Sequence, residues 1–133
     1  MVASIHSHFS LSPAQTTDRL LAAIRSGVVH CLGHPLGRMI GKRDADKVFA
    51  ACREHRVRLE VNSQPYRLDL PDTFCQRARE AGVNFTISTD AHKQSDLDLA
   101  KYGVIVARRG WLTKKDVLNT STLAELRKQI TRR

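Results

Sequence analysis

Cysteine is scarce in this 133-residue chain, and its placement excludes two common roles. Cys31, Cys52 and Cys75 are odd in number and lack the short spacing of metal motifs, which argues against a disulfide framework and a thiolate metal site. They read as buried thiols in a reducing, cytoplasmic setting. No apolar run approaches membrane-spanning length and no signal peptide is expected ahead of the first strand, so a membrane partner is not expected. Repeats, low-complexity tracts and linkers are absent too, and the length suits one domain with a real hydrophobic core. Acidic residues are in short supply: 13 Asp and Glu stand against 22 Lys and Arg, a formal charge of +9. The resulting pI of about 10.1 favours anionic partners, nucleic acid first.

What the chain does have is a recurring ending. Three apolar, β-branched runs stop at histidine or aspartate: Val2-Ala3-Ser4-Ile5-His6, Val28-Val29-His30-Cys31-Leu32-Gly33-His34 and Phe85-Thr86-Ile87-Ser88-Thr89-Asp90-Ala91-His92. Helix-like stretches separate them. Ser12-Pro13 caps the first, whose apolar face is Leu20, Leu21, Ala23 and Ile24 and whose stop is Gly27. Asp44 is expected to cap the second, with Val48, Phe49 and Cys52 on one face. Val57 to Asn62 alternates as a third strand, Asp69 and Pro71-Asp72 open a helix to about Gly82, and Val83 to Thr89 is the fourth strand. Ser95 to Tyr102 reads as a short helix, Gly103 to Ala107 as a fifth strand, and Ser121 or Thr122 with Glu125 as the capping box of a last helix. This alternation predicts an α/β fold of parallel strands joined by crossovers.

In such folds the carboxyl ends of the strands emerge together, and sites are built there. His6, His34, Asp90 and His92 should therefore converge, and imidazole plus carboxylate is the ligand set for zinc, manganese or iron. Asp90-Ala91-His92 is the sharpest local signal; His8, His30 and His55 are weaker and read as turn, strand or helix residues. Glu60 and Asn62 end the third strand on one face and are expected to accept hydrogen bonds from ligating histidines. Arg38, Arg67, Arg108 and Arg109, with Lys42 and Arg43, follow strands and would add cations suited to substrate phosphates. These residues point to a metal-dependent hydrolase. A non-catalytic basic module that binds nucleic acid is the second class of function they allow.

The chain also resembles the carboxyl-terminal part of the PHP (polymerase and histidinol phosphatase) domain, in the version attached to bacterial family X DNA polymerases. The resemblance is carried by Ala3-Ser4-Ile5-His6-Ser7, Leu32-Gly33-His34-Pro35-Leu36-Gly37-Arg38, Leu59-Glu60-Val61-Asn62, Arg67-Leu68-Asp69-Leu70, Ser88-Thr89-Asp90-Ala91-His92 and Ala107-Arg108-Arg109-Gly110-Trp111-Leu112. It implies that residues 1–133 are a single domain fragment, part of a distorted (βα)7 TIM-like barrel whose amino-terminal strands are missing. It implies metal ligation by His6, His34, Asp90 and His92 with a divalent cation (Mn, Zn, Fe or Mg). The implied activity is phosphoester hydrolysis, of the 3′–5′ exonuclease type on DNA in an intact protein. The family's amino-terminal ligands are not found here, so this chain alone is expected to be incomplete and inactive. Expected partners are DNA and either a second copy or the missing barrel segment.

Overall fold

The computed structural model describes residues 1–36 and 44–131. Four parallel strands lie side by side in chain order: β1 (Val2–Ala3), β2 (Cys31–Leu32), β3 (Arg58–Asn62) and β4 (Phe85–Ser88). Between and after them run α1 (Pro13–Arg25), α2 (Ala45–Glu54), α3 (Asp72–Glu80), α4 (Ala100–Arg109) and α5 (Leu123–Ile130). The sheet is open, with β1 and β4 at its edges. That architecture is α/β and compatible with part of a TIM-like barrel. Among the described residues no helix is long and apolar enough to cross a membrane.

The register explains how one sheet separates packing from chemistry. Leu32, Leu59 and Phe85 are aligned neighbours and point to the helical side. They meet Leu20 and Ile24 of α1, Val48 and Phe49 of α2, Cys75 and Ala78 of α3, and Ala107 of α4 in one apolar core. The opposite face is polar: Cys31 aligns with Arg58, Glu60 with Thr86, and Asn62 with Ser88. All five residues of β3 are buried, so its charged and amide side chains need partners within the fold.

Several local expectations hold in detail. Ser12 caps α1 in a capping box with Gln15, Pro13 occupies the first turn, and Gly27 follows the helix at a φ of 80°. Thr122 and Glu125 form the capping box of α5. All three cysteines are free and buried.

Other expectations are corrected. Gly103 to Ala107 is not a fifth strand: it lies inside α4, although Val104, Ile105 and Val106 are β-branched. Gly103 has no Cβ, and one would collide with Ser63 Oγ and meet Ile87 Cγ2 at 2.8 Å, so this residue lets α4 lie against the ends of β3 and β4. The place beside β4 is taken by a later segment. Val117 bridges Phe85 in parallel, Phe85 N donates to Asp116 O (2.8 Å), and Asn119 brackets Ile87 through its side-chain amide. The helix expected over Ser95 to Tyr102 is a 3₁₀ stretch, Gln94–Leu99, that runs into α4. Asp44 precedes α2 but makes no capping bond; its carboxylate pairs with Lys47 at 3.2 Å.

Candidate functional site

The loops that leave the carboxyl ends of the strands gather most of the residues singled out by sequence. β1 ends at Ala3, and His6 lies three residues beyond it with Nε2 hydrogen-bonded to Ser4 Oγ at 2.7 Å. β2 is followed by His34, whose ring meets that of His6 edge to face with centroids 5.3 Å apart. Gly33 eases the packing of the exit of β2 against β1, since a Cβ there would stand 3.3 Å from both Ser4 Cβ and Val2 Cγ1. β4 leads to Asp90 and His92; His92 Nδ1 donates to the Asp90 carbonyl at 2.7 Å, which leaves Nε2 as the ring's lone-pair nitrogen.

Glu60 ties these ends together. Its Oε2 accepts from the His34 amide at 2.6 Å and from Asn62 Nδ2 at 3.2 Å, and its Oε1 accepts from Ser88 Oγ. One buried carboxylate thus fixes the exits of β2, β3 and β4. Glu60 reaches His34 through the backbone amide and not through the ring. Asn62 turns its own carbonyl to Gln64 N (3.0 Å), and its backbone amide donates to the Asp69 carbonyl. Asp69, which was not a site candidate, accepts from Leu36 N at 3.2 Å and so anchors the loop after His34.

The electrostatics around His34 favour a neutral imidazole. Burial lowers its pKa from the ordinary 6.5, the Arg67 cation lowers it further, and the nearby Glu60 and Asp90 carboxylates only partly oppose this. His34 Nδ1 is buried with no hydrogen-bond partner among the described residues. A neutral ring with an unpartnered nitrogen has the donor chemistry a divalent cation requires. Arg67 Nε pairs with Asp90 Oδ2 at 3.7 Å, and the two line a shallow pocket of about 280 Å³ with Gln64, Tyr66 and His92.

Backbone conformation marks the same places. His8, His34, Leu68 and Asp90 have φ values of 58°, 32°, 42° and 49°, a region that side chains other than glycine seldom adopt. Each lies in a loop beyond a strand end. Residues held this way cluster at functional sites.

Not every candidate joins the group. Arg109 pairs with Asp72 at the start of α3 (2.8 Å), and Arg108 is exposed in the last turn of α4. Arg38, Lys42 and Arg43 lie outside the described residues. Among the described residues, no three His, Cys, Asp or Glu side chains stand close enough to hold one ion together. His6 and His34 pair through their rings, whereas the Asp90 carboxylate faces Arg67 and His92 reaches only the Asp90 backbone carbonyl.

The chain is 39% identical over 131 residues to the DNA polymerase/3′-5′ exonuclease PolX of Bacillus subtilis, covering 95% of this chain and 23% of PolX. The chain resembles the PHP part of PolX. It also matches a probable phosphatase of Thermoanaerobacter sp. (strain X514), 26% identical over 130 residues, covering 90% of this chain and 52% of that protein. A probable phosphatase of Aliivibrio fischeri (strain ES114) is 28% identical over 118 residues, covering 84% and 47%. No family model matches the chain. The chain thus spans about a quarter of PolX and about half of these phosphatases.

Proposed function

We propose that this chain carries part of a metal-dependent phosphodiesterase site that acts on DNA, removing nucleotides from 3′ ends as the name of PolX describes for that protein. The observation that carries the reading is the His6–His34 ring pair and the Arg67–Asp90 pair beyond the carboxyl ends of parallel strands, with the His34 pKa lowered and its Nδ1 unpartnered among the described residues. We assign metal ligation to His6, His34, Asp90 and His92. These four leave positions for water, phosphate oxygens or further donors. A divalent cation bound there supplies Lewis acidity and an acidified water.

The chain's own residues do the rest. Glu60 holds the His34 backbone in its strained conformation, so the imidazole is aimed before any ion arrives. Asp90 supplies the negative charge. Arg67, on the rim of the same pocket, is the cation placed to take a phosphate oxygen of the substrate, since a guanidinium matches that geometry. Arg108 and Arg109 belong to the same reading as outer contacts to the strand.

The test is a chimera in which this chain replaces the matching segment of Bacillus subtilis PolX. Manganese-dependent shortening of a 5′-labelled DNA strand is expected, and Asp90→Asn should abolish it while the chimera stays folded. A folded chimera that binds DNA in a salt-dependent way but never shortens it would instead favour the basic nucleic-acid-binding module, which the charge of +9 supports.

A further inference from the structure

The opposite pole of the sheet holds a feature that the phosphodiesterase reading does not use. Below the amino ends of β3 and β4 lies a pocket of about 390 Å³, within the range of small-ligand sites. Its walls come from the end of α2, the head of β3, the turn before β4 and the last turns of α5. Among the described residues four cations line it, Arg53, Arg56, Arg58 and Lys128, and no acidic residue does.

The four have different duties. Arg58 is 5% exposed, and its guanidinium donates to Arg56 O (2.9 Å) and Gln129 O (3.0 Å), bracing the walls against each other. Arg53, Arg56 and Lys128 are exposed. Among the described residues no carboxylate lies within ion-pairing distance of these three, whereas Lys47, Arg67, Arg77, Arg79 and Arg109 each have one. Gly82 adds a positional detail. It has φ of 81°, and a Cβ there would meet Arg53 Nε at 3.3 Å and Cδ at 3.4 Å, so the bare backbone lets the Arg53 stem lie flat along the wall. Like charges gathered round a concavity repel one another, and an anion seated among them relieves that repulsion. Guanidinium groups match phosphate oxygens in pairs, and the Asn84 side chain adds a neutral partner at the rim.

We propose that this pocket is a second anion site, separate from the carboxyl-end residues, that takes the phosphate of a ligand of mononucleotide size. The phosphate can come from a free mononucleotide or from the phosphorylated end of a strand. Arg53, Arg56 and Lys128 bind it, and Arg58 positions the walls.

Amide and arginine Nε spectra of the whole 133-residue chain test this, with deoxyadenosine monophosphate, a 5′-phosphorylated oligonucleotide and its unphosphorylated twin added separately. Saturable shifts are expected at Gly82, Val83, Asn84, Arg53 and Arg56. Shifts with the mononucleotide and not with the phosphorylated strand identify the free nucleotide; shifts that depend on the strand's 5′ phosphate identify the strand end. Arg56→Gln and Lys128→Gln should each weaken binding about tenfold, as loss of a charged hydrogen bond does, while Lys115→Gln, an exposed cation elsewhere, should leave it unchanged. Basic side chains in last helical turns also offset the helix dipole. If the two variants lower the melting temperature and leave phosphate affinity unchanged, or if shifts never saturate, the proposal is wrong. Because the readout needs no metal and no cleavage, failure of the phosphodiesterase reading leaves it standing, and its own failure leaves that reading intact.

Discussion

The two ends of the sheet are built from the same strands and treat backbone strain and buried charge differently. At the amino ends, the left-handed residues Gly27, Arg56 and Gly82 each directly follow the last capping residue of a helix, α1, α2 and α3 respectively. That is the ordinary stop signal of a helix. At the carboxyl ends, His8, His34, Leu68 and Asp90 are left-handed without terminating any helix. The strand β3 shows the same contrast in charge. Its first residue, Arg58, is buried and donates to backbone carbonyls at an open pocket; its third, Glu60, is buried and accepts from three groups at three strand ends. The lesson is that conformational strain alone does not mark a site. Strain that no helix end explains, next to a buried hub of hydrogen bonds, is what sets the carboxyl ends apart.

Breaking the hub should have the largest effect. Glu60→Ala leaves the His34 amide, Asn62 and Ser88 without their acceptor inside the protein, so a loss of roughly 3 kcal/mol or more is expected by denaturant unfolding. Arg58→Met at the other end of the strand should cost about 1–2 kcal/mol, because water in the open pocket can replace its donors. Equal losses would mean the two ends are not distinct in kind.

The strain comparison sharpens with glycine. Gly82→Ala should cost about 1–2 kcal/mol, more than Gly27→Ala, since both are left-handed but only Gly82 has Arg53 against it. Arg56→Gly should be neutral or gain up to about 1 kcal/mol. Asp90→Gly should likewise not destabilise the fold, yet weaken manganese binding. A stable Asp90→Gly protein with unchanged manganese affinity would demote Asp90 to an ordinary loop residue.

Smaller still is the pH response. His34 has a folded pKa below its ordinary 6.5, through burial first and Arg67 second, so the unfolded chain binds the proton more tightly. Its contribution to stability is present above about 6.5 and is lost as pH falls below that value; His34→Gln should flatten the stability profile there. The thiols give the finest contrast. Burial pushes Cys31 up to about 11 and Cys52 and Cys75 up to about 12, so no thiol should react with a disulfide reagent at pH 8 in the folded chain.

Much of this was legible in the sequence, and the reasons for the rest are physical. His6, His34 and Asp90 are visible because a β-branched run ending in a polar residue marks the carboxyl end of a parallel strand, and Ser12 and Thr122 are visible because capping is local. Gly103-Val104-Ile105-Val106 misleads because helix or strand is decided there by what Gly103 packs against, Ser63 and Ile87, forty and sixteen residues away in the chain. The bond of Glu60 to the His34 backbone amide was not legible, since a backbone amide leaves no trace in residue identity. The basic pocket was not legible at all: Arg53, Arg56, Arg58 and Lys128 come from separate elements, and only the fold brings them together.

The central claim is that the carboxyl ends of the strands, and not the histidines elsewhere, are where a divalent metal binds. Paramagnetic broadening of the histidine ring signals by substoichiometric manganese tests it most directly. His6, His34 and His92 should broaden first and together, His30 and His55 should stay sharp, and Asp90→Asn should raise the manganese needed. Equal broadening of all the rings, or earlier loss of His30 and His55, would contradict the account.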